Sequence, residues 1–432
     1  MAPSRTRFVI LALISLGVTV NYLDRAIIGV ASPAIAREFA LSPVAMGLIF
    51  SAFSWSYFAA QLPGGLALDR FGARLTYLVA LAGWSLSTLM HATANGFAAL
   101  FGWRLSLGLF EAPCFPANNS IVGAWFPRAE RARAIGVYTS AEYVALGFAT
   151  PLLLWLMNTH GWRALFLVSG LLGLLLVPFW WLIYREPSEH PGVNPAELAL
   201  IEKGGGRTQP ETARFTPALL WALARQPQII ALCAAQFAAY STFVFFLTWF
   251  PTYLATVRHM AWIKMGFLAS LPYIAGFFGI LFAGWLSDFL LARGASLNVS
   301  RKLPVIMGML LASTIVLANY VNSDALVVAV LSVAFFAQAM SSSSWSALSE
   351  VAPQGTLGMV GSLFSAAANL SGIVTPLVIG VIYQVTGSFD WALAFIGTVT
   401  AIGAAAWIFL VGDLRPIVLA PTAPHASKIN TR

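Results

Sequence analysis

The sequence predicts an all-α membrane protein of twelve transmembrane helices arranged as two pseudo-symmetric six-helix bundles. Three observations carry that expectation. First, 59% of the 432 residues are hydrophobic and only 9% charged, with a mean hydropathy of +0.79, the composition of a chain that crosses a bilayer repeatedly. At roughly 20 apolar residues per crossing plus short loops, the length accommodates about twelve crossings. Second, one long polar stretch, residues 185–228, divides the chain near its middle. Third, Gly136, Ser140, Ala141, Gly147, Thr150 and Pro151 recur as Gly361, Ser365, Ala366, Gly372, Thr375 and Pro376, each 225 positions later. Duplicated six-helix halves around a linker describe a transporter with its site near the midplane, where the halves meet. The expected organisation is a first bundle at 1–184, a linker with short helices at 185–228, a second bundle at 229–411 and a tail at 412–432.

The first span covers residues 8–30. It is too long for the apolar region of a cleaved signal and holds Asn21-Tyr22-Leu23-Asp24-Arg25, so it reads as an uncleaved helix. Asn21, Asp24 and Arg25 stand at i, i+3 and i+4 and share a face. Asp24 and Arg25 themselves lie about 100° apart on a helix and do not simply neutralise each other. Each is expected to seek a partner elsewhere, with Arg104 and Glu111 as the supply. The second span, 43–68, carries Ser54, Tyr57 and Gln61 as a polar stripe, either a site wall or an interhelical hydrogen-bond seam. A tight basic hairpin follows, Gly65 to Arg74, then a third span at 75–94.

The fourth span contains the stretch the chain is organised around, residues 103–116. Arg104 and Glu111 lie seven residues apart, two helical turns, on one face. An ionisable group at bilayer depth costs at least about 3 kcal/mol, so it faces a partner or a wet cavity. A buried structural ion pair and a substrate or proton site both satisfy that demand. Pro113 and Pro116 are expected to break the helix just past Glu111. After the basic turn at 127–133, the fifth span, 134–157, carries Glu142, and the sixth runs from Trp162 to near Tyr184.

In the linker, Asn194-Pro195-Ala196-Glu197 supplies an N-cap, a first-turn Pro and a third-position Glu, starting a short helix closed by Gly204. Thr216-Pro217 starts another, with Leu219, Leu220, Trp221 and Leu223 suited to a membrane surface. Six further spans follow at 229–254, 262–290, 303–321, 325–349, 359–384 and 391–411. With this count both termini are cytoplasmic. Of the 24 Lys and Arg, 18 fall on cytoplasmic turns, linker and tails and 4 outside (Arg37, Arg163, Arg258, Lys264), the bias that the positive-inside rule demands. Arg25 and Arg104 lie within the membrane.

The net charge of +8 follows the loops, so it reports topology rather than nucleic-acid binding. Cys114 and Cys233 sit in apolar stretches and suggest neither a disulfide framework nor a metal site. No cofactor is expected. No histidine is placed mid-span, which leaves carboxylates as the proton carriers. No His or Cys cluster, nucleophile elbow or phosphate loop supports an enzyme, and no soluble output domain supports a sensor. All three mid-membrane carboxylates (Asp24, Glu111, Glu142) and both arginines are in the first half. The second half offers Gln236, Tyr240, Tyr273, Gln338, the serines at 341–344, Trp345 and Asn369. Charge and proton handling in one half and hydroxyl recognition in the other is the division this suggests. An arginine fork suits a carboxylate, and Asn and Ser suit sugar hydroxyls, although small-residue packing explains the serines and Asn369 equally well.

Gly65-x-x-x-Asp69-Arg70-x-Gly72-x-Arg74 resembles the loop signature of the major facilitator superfamily. Asn21-Tyr-Leu-Asp24-Arg25, Arg104 with Glu111-Ala-Pro, Trp125-Phe-Pro, and Phe246-Leu-Thr-Trp-Phe-Pro251 resemble its anion:cation symporter family, with Arg301-Lys-Leu-Pro304 and Thr375-Pro-Leu-Val378 adding to the likeness. Within that family the chain is similar to bacterial D-galactonate and glucarate/galactarate proton symporters. The resemblance implies a monomeric inner-membrane importer that couples protons to an organic anion, a sugar acid (aldonate, aldarate or hexuronate), by alternating access. It implies proton switches at Asp24 and Glu111 and substrate contacts from Arg25, Tyr57, the position of Glu142, Trp345 and Asn369. Tyr22, Arg104, Gln236 and Tyr240 complete the expected substrate-binding set. Asp69 and Arg70, with Arg131, are expected to form a cytoplasmic latch between bundles. Small aromatic acids are an alternative cargo, and an efflux antiporter is the alternative function; against it, Leu152-Leu-Leu-Trp155 follows Pro151 where antiporters are glycine-dense. One departure stands out: Glu142 occupies a position where those symporters usually carry Gln.

Overall fold

The computed structural model describes residues 2–206, 216–260, 262–353 and 355–417, with backbone alone for 262–266. Most of the predicted 412–432 tail lies outside the described residues. Among the described residues every regular element is a helix. The first half comprises α1 (Thr6–Glu38), α2 (Pro43–His91), α3 (Phe97–Glu111), α4 (Cys114–Trp125), α5 (Arg128–His160) and α6 (Trp162–Ile183). Two short linker helices, α7 (Pro195–Lys203) and α8 (Pro217–Ala224), come next. The second half comprises α9 (Pro227–Thr248), α10 (Phe250–Thr256), α11 (Trp262–Ala292), α12 (Leu297–Ala312), α13 (Asp324–Met340), α14 (Ser344–Val351), α15 (Leu357–Thr386) and α16 (Asp390–Ala405). Among the described residues, 10 helices are long and apolar enough to cross a membrane.

Local chemistry explains where the spans bend and break. The 49 residues of α2 would reach about 74 Å if straight, more than twice the hydrocarbon thickness. Gly72 interrupts them with φ 75° and ψ 168°, a conformation open to glycine. Thr76 Oγ1 then donates to the Ala67 carbonyl at 3.2 Å, so the chain doubles back in the expected hairpin. Pro113 separates α3 from α4 directly after Glu111, as the sequence predicts. A second break, at Trp249 before Phe250-Pro251, divides the expected span at 229–254. The serines after α13 form a 3-10 turn in which Ser341, Ser342 and Ser343 hydroxyls donate to carbonyls three residues back (2.5, 2.6 and 2.8 Å). These three hydroxyls donate within their own helix and bend it, as the packing reading of the serines has it.

The internal repeat has a packing reason. α5 lies against α11, and α15, its sequence counterpart, lies against α2. A Cβ added at Gly147 would stand 3.0 Å from Ile274, and one at Gly372 would stand 2.2 Å from Ser54 Oγ. One repeated glycine pair, Gly147 and Gly372, therefore marks points where helices of opposite halves touch.

Both described chain ends lie on the linker side. Ser4, Thr6 and Arg7 bond to Glu197, while Gln228 Nε2 donates to the Val411 and Asp413 carbonyls. Asn194 caps α7 through Glu197 N as expected, but Glu197 does not close a capping box. Its carboxylate accepts the Thr6 and Arg7 backbone N–H groups and so caps α1 instead. Contacts between halves gather toward the opposite, far side. A Cβ on Gly29 of α1 would lie 2.4 Å from the Leu247 carbonyl oxygen, and Ser32 Oγ meets Thr252 Oγ1 at 2.6 Å.

Candidate functional site

α1 and α3 bring the charged residues together. Arg25 Nε donates to Glu111 Oε2 at 2.7 Å, with the Arg25 side chain 5% exposed and that of Glu111 fully buried. The guanidinium sits among the rings of Phe53 (4.6 Å), Tyr22 (5.0 Å) and Tyr57 (5.1 Å), an aromatic box that favours a cation. The pair uses only part of the fork. Arg25 Nη2 and Glu111 Oε1 have no hydrogen-bond partner in the protein.

Asp24 leaves α1 in another direction, as the 100° offset requires. It is buried and accepts from Ser169 Oγ of α6 at 2.5 Å, while its Oδ2 has no protein partner. The expectation that Asp24 and Arg25 divide Arg104 and Glu111 between them is therefore half right. Arg25 takes Glu111; Asp24 takes a serine. Arg104 is buried over the Phe53 ring at 5.1 Å, and its Nε and Nη1 have no protein partner. Among the described residues it forms no salt bridge.

A buried charge without a counter-charge is costly unless something else satisfies it. Here the deficit is specific: one arginine unpaired and another with an open donor, both in the first half. Planar donors without acceptors fit a carboxylate ligand. A histidine at the end of a helix, not mid-span, also joins this interior. His91, at the end of α2, is fully buried, stacks on Phe166 at 4.9 Å and meets the Ser87 carbonyl through Nδ1 at 2.7 Å; Nε2 has no protein partner. The available signal was its sequence position at i+7 from Trp84 and i+3 from Thr88, on one helical face.

Glu142, on α5, is half-buried and faces the hydroxyls of Tyr22 and Tyr143. Tyr22 links it to the rest of the site: its ring lies under Arg25 and meets Phe243 of the second half edge-on at 6.3 Å. Tyr240 stacks on that same Phe243 at 5.3 Å, and Gln236, one turn earlier, accepts from Ser344 Oγ at 3.5 Å. Tyr22, Arg25, Glu111 and Glu142 thus approach Tyr240 across the interface between halves, while Gln236 is bonded within the second half. Tyr273 is spent on the Phe246 carbonyl at 2.7 Å. Asn369 Nδ2 donates to Ser365 of its own helix at 2.9 Å. Trp345 is not brought to the Arg25 cluster: it is 46% exposed and packs edge-on against Phe364 at 5.0 Å.

The expected latch is not closed. Asp69 and Arg70 are exposed, and Arg70 lies over the neighbouring Phe71 ring at 5.4 Å. Arg131 donates to the Gly123, Phe126 and Gly205 carbonyls at 2.8, 3.1 and 2.7 Å, tying the first half to the linker. Among the described residues none of the three bonds to the second half.

Comparison with known proteins places this geometry. The chain is 41% identical over 426 residues to a D-galactonate transporter of Escherichia coli O6:H1, covering 96% of this chain and 98% of that one. It is 38% identical to a probable galactarate/D-glucarate transporter of Escherichia coli K12, covering 97% and 96%. The fold is similar to that of a bacterial homologue of the human lysosomal transporter Spinster, with TM-score 0.74 at 18% identity over 94% of this chain and 97% of the other. Residues 14–318 match the Major Facilitator Superfamily. A multi-pass helical chain with its buried charges at the meeting of two repeated halves, matched over that length, belongs to the Major Facilitator Superfamily.

Proposed function

We propose that this protein is a proton-coupled symporter that imports a sugar acid across a bacterial inner membrane by alternating access. The observation that carries the reading is the Arg25–Glu111 pair, whose guanidinium keeps Nη2 open where the halves meet. Resemblance to transporters named for galactonate and for galactarate/glucarate supports the cargo class.

The geometry supplies a coupling mechanism. Ionised Glu111 holds Arg25 and competes with a substrate carboxylate for the same fork. Protonation of Glu111 weakens that hold and frees Arg25 for the anion, so proton and anion binding favour each other by linkage. Loss of the proton lets Glu111 recapture Arg25 and release the cargo. Asp24, held by Ser169 on the other side of α1, is the second proton switch; it acts on the same helix without touching the anion. Arg104 and the tyrosines orient the carboxylate, while Tyr240, Gln236 and Asn369 meet the hydroxyls.

The membrane arrangement follows from counting α2 as two crossings about Gly72 and α3 with α4 as one. With the other nine long helices this makes twelve, two bundles of six around the linker, working as a monomer. The charge bias puts both termini in the cytoplasm. The sealed far side then faces outward, and the unlatched Asp69–Arg70 side faces inward. Uptake by proteoliposomes over a panel of aldonates, aldarates, hexuronates and small aromatic acids, with and without an inward proton gradient, tests the proposal. Gradient-driven accumulation of a sugar acid supports it; export driven by the opposite gradient would move the assignment to an antiporter.

A further inference from the structure

We infer that the site accepts sugar acids bearing one carboxylate and rejects those bearing two, and that Glu142 enforces the choice. The inference rests on the sugar-acid reading and narrows it, since the relatives named above divide between a one-carboxylate and a two-carboxylate cargo.

The charge inventory carries the argument. The positive groups at the site are Arg25, already bonded to Glu111, and Arg104, which lies within electrostatic reach of Glu111 and Asp24 but forms no salt bridge among the described residues. Both belong to the first half. Between Pro227 and Leu410 the only Lys and Arg are Arg258, Lys264, Arg293, Arg301 and Lys302, all in loops or in the first two turns of a helix. Arg258 is paired with Asp324 and Arg301 donates to Ser287, each at its own end of the molecule. The second-half side chains that reach the Arg25 cluster are neutral: Tyr240 and Phe243.

A one-carboxylate sugar acid fits this polarity. Its carboxylate takes the open donors of Arg25 and Arg104, and its polyol chain runs toward hydroxyls and amides. A two-carboxylate acid must place its second charge in a desolvated region with no cation to receive it. Glu142, beside Tyr22 and within electrostatic reach of Arg25, adds a further carboxyl group to the site that such an acid would enter. When ionised, the Glu142 carboxylate beside the Tyr22 hydroxyl can accept hydrogen bonds from substrate hydroxyls and repels a second carboxylate. Rejection by an adverse charge is as effective as selection by a favourable one. A glutamine at the same position would present a donor and no charge.

The test is calorimetric binding at pH about 7 to the full-length protein in lipid nanodiscs, using D-gluconate, D-glucarate and the 6-monoamide of D-glucarate. The monoamide keeps the length and shape of glucarate but carries one charge. Wild type is expected to bind gluconate and the monoamide comparably and glucarate at least tenfold more weakly. Glu142→Gln is expected to shrink that gap. Glucarate binding as tightly as gluconate overturns the inference while leaving the symporter reading intact. So does a monoamide as weak as glucarate, because size rather than charge would then be the filter. A gap unchanged in Glu142→Gln removes the assignment to Glu142. Binding of none of the three overturns the sugar-acid reading itself, and the inference with it. Should the variant fail to fold, the three-ligand series on wild type still decides the charge rule.

Discussion

In the proposed cycle Arg25 is the residue on which anion and proton converge, and that role is testable by small changes. Arg25→Lys preserves the charge but loses the planar fork, so a sugar acid should bind at least tenfold more weakly, about 1.4 kcal/mol, by calorimetry. Unchanged affinity would move the carboxylate contact to Arg104. Asp24→Asn and Glu111→Gln should each abolish accumulation driven by a proton gradient while leaving counterflow exchange measurable. Accumulation persisting in both would refute the coupling assignment. The sequence exposes these residues because charge inside an apolar span is rare and costly, and the helical offset shows that Asp24 and Arg25 face different ways. It does not reveal the partners. Which helix lies beside which is a tertiary fact, and Ser169, a lone serine in an apolar helix, looks like packing until Asp24 is set against it. His91 was hidden by its place at the end of a span, where solvent is the ordinary expectation.

At the scale of elements, α1 is anchored from outside its own sequence neighbourhood. Glu197 is fully buried, bonds Arg7 at 3.0 Å and accepts from Ser4 Oγ at 2.6 Å and from Thr6 N at 3.1 Å. Burial pushes its carboxyl upward, but the hydrogen bonds from Ser4, Arg7 and Thr6 outweigh this and leave it below the usual glutamate range. The sign follows from that direction. The unfolded state binds the proton more readily, so the carboxylate's contribution is full above the unfolded pKa and is lost as pH falls through the lower folded value. Glu197→Gln should cost about 1–2 kcal/mol near neutral pH, as loss of a helix cap does. It should also flatten the decline in thermal stability between pH about 6 and about 3; an unaltered acid limb would show that Glu197 does not cap α1 in solution. Caps and proline breaks are legible because they depend on adjacent residues. Asn194, Thr216 and the break after Glu111 all form as the sequence predicts. The long-range use of Glu197 and the inward-turned serines at 341–343 depend on what the rest of the chain brings near.

At the scale of the whole molecule, two repeated halves close on the far side and leave the Asp69–Arg70 side unlatched. The halves were legible because duplication leaves glycines at a constant offset, and one such pair, Gly147 and Gly372, lies where opposite bundles touch. The conformation was not, because in the proposed cycle one sequence serves both ends of the alternation and carries the same latch residues in each. Gly29→Val should prop the far side apart, since its Cβ has no room beside the Leu247 carbonyl. Ser32→Cys, buried here against Thr252, should then gain reactivity toward a membrane-impermeant thiol reagent added outside; no gain would mean that this contact does not hold the seal. The central claim, that anion and proton move together, is tested most directly by a pH-sensitive dye inside proteoliposomes of known orientation. Adding an external sugar acid without any imposed gradient should acidify the lumen in wild type and not in Glu111→Gln. Sugar-acid entry with no change in lumenal pH, or with alkalinisation, would contradict the account.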